Sequence, residues 1–231
     1  MRLAQAENYG VAFGSPSPLQ EADRSLLGED SREILKGRQL HDDVDRTALI
    51  DLVMGHVSTA AKHEVVFDKA LRDKYALRSR LFADETEAVL QRKGSKAIKG
   101  SKPHILVVGA TAGIIGALVN HGFRVSATDM LPDVVGTNLG GVAVCAEPEN
   151  DLLIKAADLA IITGMTLANR TLPALIDAAK TNNTSTMIWA ITGRNFGHYY
   201  IDHGVDCVIS DPSPFFLLPG PANIGIWRRE L

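Results

Sequence analysis

The chain has 231 residues, 45% of them hydrophobic and 22% charged, with a formal net charge of −3 at pH 7. That length has room for one sizeable domain plus a smaller one. The charge offers no basic footprint for nucleic acid, and no apolar run approaches the ~20 residues of a membrane-spanning helix.

The opening MRLAQAENYGVAF lacks the basic-then-apolar pattern of a signal peptide, which leads us to expect a cytoplasmic protein. In such a compartment Cys145 and Cys207 are expected as buried thiols rather than a disulfide or a metal site. Residues 1–20, with two glycines and two prolines, read as an irregular arm. Residues 21–40 read as a helix interrupted near Gly28 and Gly37. His41–Lys62 is a clearer helix, with Asp42 or Asp43 as its cap and Leu49, Leu52, Val53, His56, Val57 and Ala60 at helical spacing. A further helical stretch is expected over Glu64–Leu90, carrying Val65, Val66, Leu71, Tyr75, Leu81 and Phe82. Residues 1–100 are therefore expected as a mostly helical region. RKGSKAIKGSK (92–102) is a linker or exposed loop whose positive charges are either solvated or placed beside an anionic ligand.

Residues 101–231 carry a different pattern. Ile105–Val108 is a β-branched run ending on Gly109, a helical pattern follows over about Gly113–Asn120, and Val125–Thr128 closes on Asp129. Strand, glycine turn, helix, strand and acid in that order open a nucleotide-binding α/β sheet. Glycines admit a ligand close to the backbone, and a helix N-terminus offers unpaired N–H groups and partial positive charge to an anion. Asp129 lies 20 residues after Gly109, where such folds place an acceptor for ribose hydroxyls. The spacing GATAGIIG keeps Gly113 and Gly116 but has Thr111 where the usual fingerprint has its first glycine after Gly109.

Val142–Cys145 is a short strand candidate. The runs Leu159–Thr163, Thr186–Ile191 and Val205–Ile209 read as buried strands, separated by helices over Thr171–Lys180 and Phe196–His203. Apolar strands alternating with helices imply an α/β fold: a Rossmann-like, doubly wound, mainly parallel sheet. The tail DPSPFFLLPGPANIGIWRRE, with four prolines, is expected to be irregular and to pack on its own domain or a partner subunit, which admits a homodimer.

Ligands of such sheets sit beyond the carboxyl ends of the strands. The candidate lining is Gly109, Thr111 and Gly113, then Asp129, then Thr163, Gly164, Thr166 and Asn169, and finally Arg194. Thr171 serves either as a helix cap or as a ligand contact. Arg194 could clamp an anion or make a surface ion pair. His198, just beyond the Arg194 loop, is the candidate acid–base residue. His41, Asp42, Asp43, His56, His63, Glu64 and Asp68 are the possible metal ligands. His56 and His63 are seven apart on one helix face, about 10 Å, too far for one ion, and Glu64 with Asp68 reads as a solvated pair. No metal site is assigned.

ADLAIITGMTLANRTLPALIDAAK, with Thr163, Gly164, Thr166, Asn169 and Thr171, resembles the signature of a bacterial and archaeal family of putative heavy-metal chelation proteins. HGVDCVISDP resembles the same family through Gly204, Val205, Asp206, Asp211 and Pro212. The resemblance spans about residues 103–212. It implies a Rossmann-like domain preceded by an enolase-N-terminal-like domain, a cleft between the two, and a role connected with metal chelation. Thr192-Gly193-Arg194-Asn195 stands where that family has a small G-P-S-type turn.

The expected function is binding of a small anionic metabolite or nucleotide-type cofactor at the strand ends. S-adenosylmethionine and an NAD-type nucleotide are the cofactors considered. A helical segment before a Rossmann domain is also the layout of nicotianamine-synthase-like transferases that use S-adenosylmethionine. An NAD-dependent oxidoreductase and a non-catalytic regulatory or scaffold protein are the other readings.

Overall fold

The computed structural model describes residues 43–57, 63–67, 71–95, 100–211 and 221–230. The central strands are β2 (His104–Val108), β3 (Arg124–Asp129), β5 (Val142–Ala146), β6 (Leu159–Thr163), β7 (Ser185–Ala190) and β8 (Cys207–Ser210). They lie parallel in the spatial order β5-β3-β2-β6-β7-β8. Counted along the chain, that order is third, second, first, fourth, fifth, sixth, the Rossmann arrangement. The fold is the expected Rossmann-like α/β sheet.

Burial on both faces explains why these strands are continuous apolar runs. All five residues of β2 are buried. Ile105 and Val107 face one core, Leu106 and Val108 the other. The first core is covered by α2 (Leu71–Lys93) and α3 (Ala112–His121), through Phe82, Val89, Ile114 and Leu118. The second is covered by α4 (Asn150–Ala156), α6 (Leu172–Thr181) and α7 (Gly197–Asp202), through Ile154, Leu172, Ile176 and Tyr200. Ile50 and Met54 of α1 (Asp43–Val57) pack against that second core.

Antiparallel strands extend both edges. The short β4 (Asn138–Leu139) pairs with β5. On the other side β9 (Ala222–Arg228) pairs with β8, and β1 (His63–Phe67) pairs with β9, Val65 opposite Ile224. Two expectations are corrected here. Residues 63–67 are a strand, not the start of a helix, because β-branched Val65 and Val66 next to Phe67 suit a pleated edge, and α2 begins only at Leu71. The tail is not irregular throughout: Ala222, Ile224 and Ile226 alternate with outward residues and are buried against the sheet.

Helix α2 also does not stand apart from the sheet. Phe82, Ala83, Val89 and Leu90 share one core with Ile105, Ile161 and Met187. The expected division near residue 100 therefore crosses a continuous hydrophobic cluster. No helix among the described residues is long and apolar enough to cross a membrane.

Candidate functional site

Strand order reverses between β2 and β6, so the loops leaving those two strands turn to opposite faces and open a crevice between them. Gly109 follows β2 and Gly164 follows β6. Asp129, half-buried at the end of β3, ties the neighbouring loops together. Its Oδ2 accepts from Ala110 N at 2.9 Å and its Oδ1 from Leu131 N at 2.9 Å. Helix α3 starts one residue past Thr111, and its first intrahelical bond runs from Ile115 N to Thr111 O at 3.0 Å. The preceding amides of Ala112, Gly113 and Ile114 have no intrahelical acceptor, and Thr111 makes no side-chain cap. Ala112 and Gly113 are exposed.

Packing within the chain by itself requires two of the predicted glycines. Gly109 has φ +87°, and a Cβ there would sit 2.3 Å from Thr163 Cγ2. Gly164 would place a Cβ 2.1 Å from Thr192 O. Gly113 differs: a Cβ on it would lie 3.0 Å from Ser79 Oγ of α2, at the open end of α3.

The loop after β6 is stitched to itself. Thr166 Oγ1 donates to Thr163 O at 2.6 Å and forms the short helix α5 (Met165–Ala168). Asn169 Oδ1 accepts from Thr171 N at 3.1 Å and Thr171 Oγ1 at 2.7 Å. Thr171 therefore spends its hydroxyl on Asn169 and makes no side-chain cap for α6, contrary to the capping expectation. The Asn169 amide also reaches Met130 Sδ at 3.1 Å, joining the loops after β3 and β6. Thr163, Gly164, Asn169 and Asp129 thus gather at one region, together with Gly109, Thr111 and Gly113.

Arg194 lies in the next loop, beyond the ends of β7 and β8. It opens a 3-10 turn (Arg194–Phe196), half-buried, with its carbonyl accepting from Ser210 Oγ at 3.1 Å. Asn195 is fastened to α1, its N–H donating to Asp51 Oδ1 at 2.8 Å and its side-chain amide to Asp51 O at 3.0 Å. Asp211, which the family resemblance singled out, is fully buried there. It pairs with Arg78 of α2 at 3.2 Å and accepts from Trp189 Nε1 at 2.9 Å. Arg78 lies between the rings of Tyr75 (5.2 Å) and Trp189 (5.1 Å). Burial pushes the Asp211 carboxyl above the usual range, outweighing the pull of Arg78, Trp189 and the Arg194 charge.

His198 is not brought to the glycine turn. It pairs with Asp202 one turn along α7 at 3.2 Å, both side chains 56% exposed. It lines a groove of about 350 Å³ with Ile201, Trp227 and Arg229. Three strand spacings separate β8 from β2, about 14 Å. Of the metal-ligand candidates, His41, Asp42 and Asp68 lie outside the described residues, as do the side chains of Asp43 and His56. His63 and Glu64 stand on a strand, so the helical spacing argued for them does not apply. Among the described residues no three His, Cys, Asp or Glu side chains converge. Both cysteines are unpaired thiols, Cys207 buried and Cys145 half-buried.

Sequence reasoning missed Ser79, Arg78 and Asp51, all contributed by N-terminal helices. A signal existed for the first two: Arg78 and Ser79 fall three and four residues after Tyr75 and just before Phe82, on the inward side of α2.

Residues 97–208 match the DUF364 family, described as putative heavy-metal chelation. The resemblance read from the sequence is thereby borne out. A DUF364 protein of unknown function from Pyrococcus horikoshii has the same fold over 95% of this chain and 82% of its own, with 13% identity and a TM-score of 0.58. A second DUF364 protein of unknown function, from Desulfitobacterium hafniense DCB-2, aligns over 60% of this chain and 62% of its own, with 13% identity and a TM-score of 0.41. No protein of curated function matches the chain.

Proposed function

We propose that this chain binds a small anionic metabolite or nucleotide-type cofactor at the β2/β6 switch point. The observation that carries the reading is the strand order, which opens the crevice where α3 presents its exposed first turn and Asp129 its carboxylate. Amides at a helix N-terminus, aided by the helix dipole, favour an oxyanion. Asp129 already accepts one backbone N–H on each oxygen, yet a carboxylate has about four lone-pair positions and can take ribose hydroxyls as well. S-adenosylmethionine and NAD-type nucleotides both combine an oxyanion with ribose hydroxyls. The family's connection with heavy-metal chelation fits a ligand that is a chelator or its precursor.

Thermal-shift titration with S-adenosylmethionine, NAD and NADP tests this. A bound ligand raises the melting temperature with concentration. Asp129→Asn, which keeps one acceptor oxygen, is expected to weaken binding about tenfold, the loss of one charge-assisted hydrogen bond. An unchanged shift in that variant would remove Asp129 from the site, and the absence of any shift in the parent protein would remove the site itself.

A further inference from the structure

Ser79 lies on α2, far from the switch point in sequence, and is 8% exposed. No described protein group takes its hydroxyl: it neither bonds back along its own helix nor to the sheet. Its Oγ points at the first turn of α3, 3.0 Å from where a Gly113 side chain would begin. A serine inside a helix ordinarily satisfies itself on the carbonyl one turn back. Ser79 is a nine-tenths buried residue whose uncommitted hydroxyl faces the first turn of α3, where three leading amides have no intrahelical acceptor, and it is a fourth donor for the same acceptor.

We propose that Ser79 completes the oxyanion site of α3, so that the ligand is held jointly by the Rossmann turn and the N-terminal helix. The proposal rests on the switch-point reading above and makes it more specific. The donors are neutral (Ser79 Oγ and the amides of Ala112, Gly113 and Ile114), while Asp129 nearby contributes negative charge. A singly charged oxyanion suits that balance: one phosphate of a dinucleotide diphosphate or the carboxylate of an amino-acid-type cofactor. Gly113 is then required because a side chain would fill the space between hydroxyl and anion, which separates its role from that of Gly109 and Gly164.

Calorimetric titration of the full chain with NAD, S-adenosylmethionine and adenosine tests the assignment. Adenosine keeps the ribose hydroxyls but has no oxyanion. Ser79→Ala is expected to bind NAD roughly tenfold more weakly or worse, with adenosine affinity unchanged. Gly113→Ala is expected to show the same pattern, giving a second route that does not depend on Ser79→Ala alone. Should the loss fall on S-adenosylmethionine and spare NAD, the oxyanion is the carboxylate and Ser79 still holds it. Parental affinity of Ser79→Ala for both ligands, with Asp129→Asn still weakening adenosine, would overturn the role of Ser79 and leave the switch-point reading standing. If the parent protein binds none of the three, both fall.

Discussion

Arg78 and Asp211 form an ion pair whose side chains are 4% and 0% exposed, and the partners are 133 residues apart in the chain. Removing Arg78 leaves a buried carboxylate without its counter-charge, at a cost of about 3–5 kcal/mol. Arg78→Ala is expected to lower the urea midpoint accordingly. The folded-state pKa of Asp211 is raised, so the folded chain holds this proton more tightly than the unfolded one. Its contribution to stability is then greatest below the unfolded value, near 4, and falls as pH rises through the folded value. Without Arg78 the folded value rises further, so the gap between Arg78→Ala and the parent should be wider at pH 8 than at pH 4. A gap independent of pH would mean that the pair is not electrostatic in effect.

Gly109 offers a second test at the same scale. Gly109→Ala combines a left-handed backbone with a Cβ driven against Thr163 Cγ2. The first effect costs about 1–2 kcal/mol and the overlap about 1–3 kcal/mol. Pairing it with Thr163→Ser, which deletes Cγ2, should recover the overlap part and leave the backbone part. Chemical denaturation of the single and double variants measures both. If the double variant recovers nothing, the glycine is required by its φ alone.

Among the elements, α2 has the most consequences. Its Phe82 is fully buried and meets the Trp189 ring edge-on at 6.0 Å. Glu85 binds Arg228 of β9 through both carboxylate oxygens, Lys93 pairs with Asp206 at 2.9 Å, and Ser79 faces α3. One helix therefore touches the β7–β9 side of the sheet and the candidate site. Phe82→Ala is expected to cost about 3–5 kcal/mol. Because Phe82 packs on Trp189, the loss should appear together in tryptophan fluorescence and in far-ultraviolet circular dichroism.

For the whole molecule, the shared core has a consequence for cooperativity. A helical N-terminal unit with its own core would melt apart from the sheet. Here α2 and β2, β6 and β7 bury their side chains in one cluster, and β1 closes the sheet through β9. Urea unfolding followed by tryptophan fluorescence and by circular dichroism should give coincident single transitions. Two separated transitions would restore the division near residue 100.

The sheet was legible in the sequence because a strand buried on both faces is apolar along nearly its whole length, and Ile105–Val108, Leu159–Thr163 and Thr186–Ile191 are, with Thr163 and Thr186 as the only polar positions. The turn at Gly109, the helix after it and the acid at Asp129 were legible because local spacing alone sets them. The strand at His63–Phe67 was not, since a half-exposed five-residue edge lacks a pattern strong enough to outvote its helical surroundings. Nor could spacing reveal why Gly109 and Gly164 are glycines, because the atoms that exclude a side chain, Thr163 Cγ2 and Thr192 O, come from neighbouring loops. His198 and Arg194 follow one strand end and looked equivalent to the other loop residues. Only strand order shows that β7 and β8 lie on the far side of the switch point from Asp129. Short-range periodicity thus determined the kind of sheet and its first turn. Tertiary structure alone decided which loops meet, because contacts such as Arg78–Asp211 and Ser79–Gly113 join segments whose separation along the chain carries no information about their distance in space.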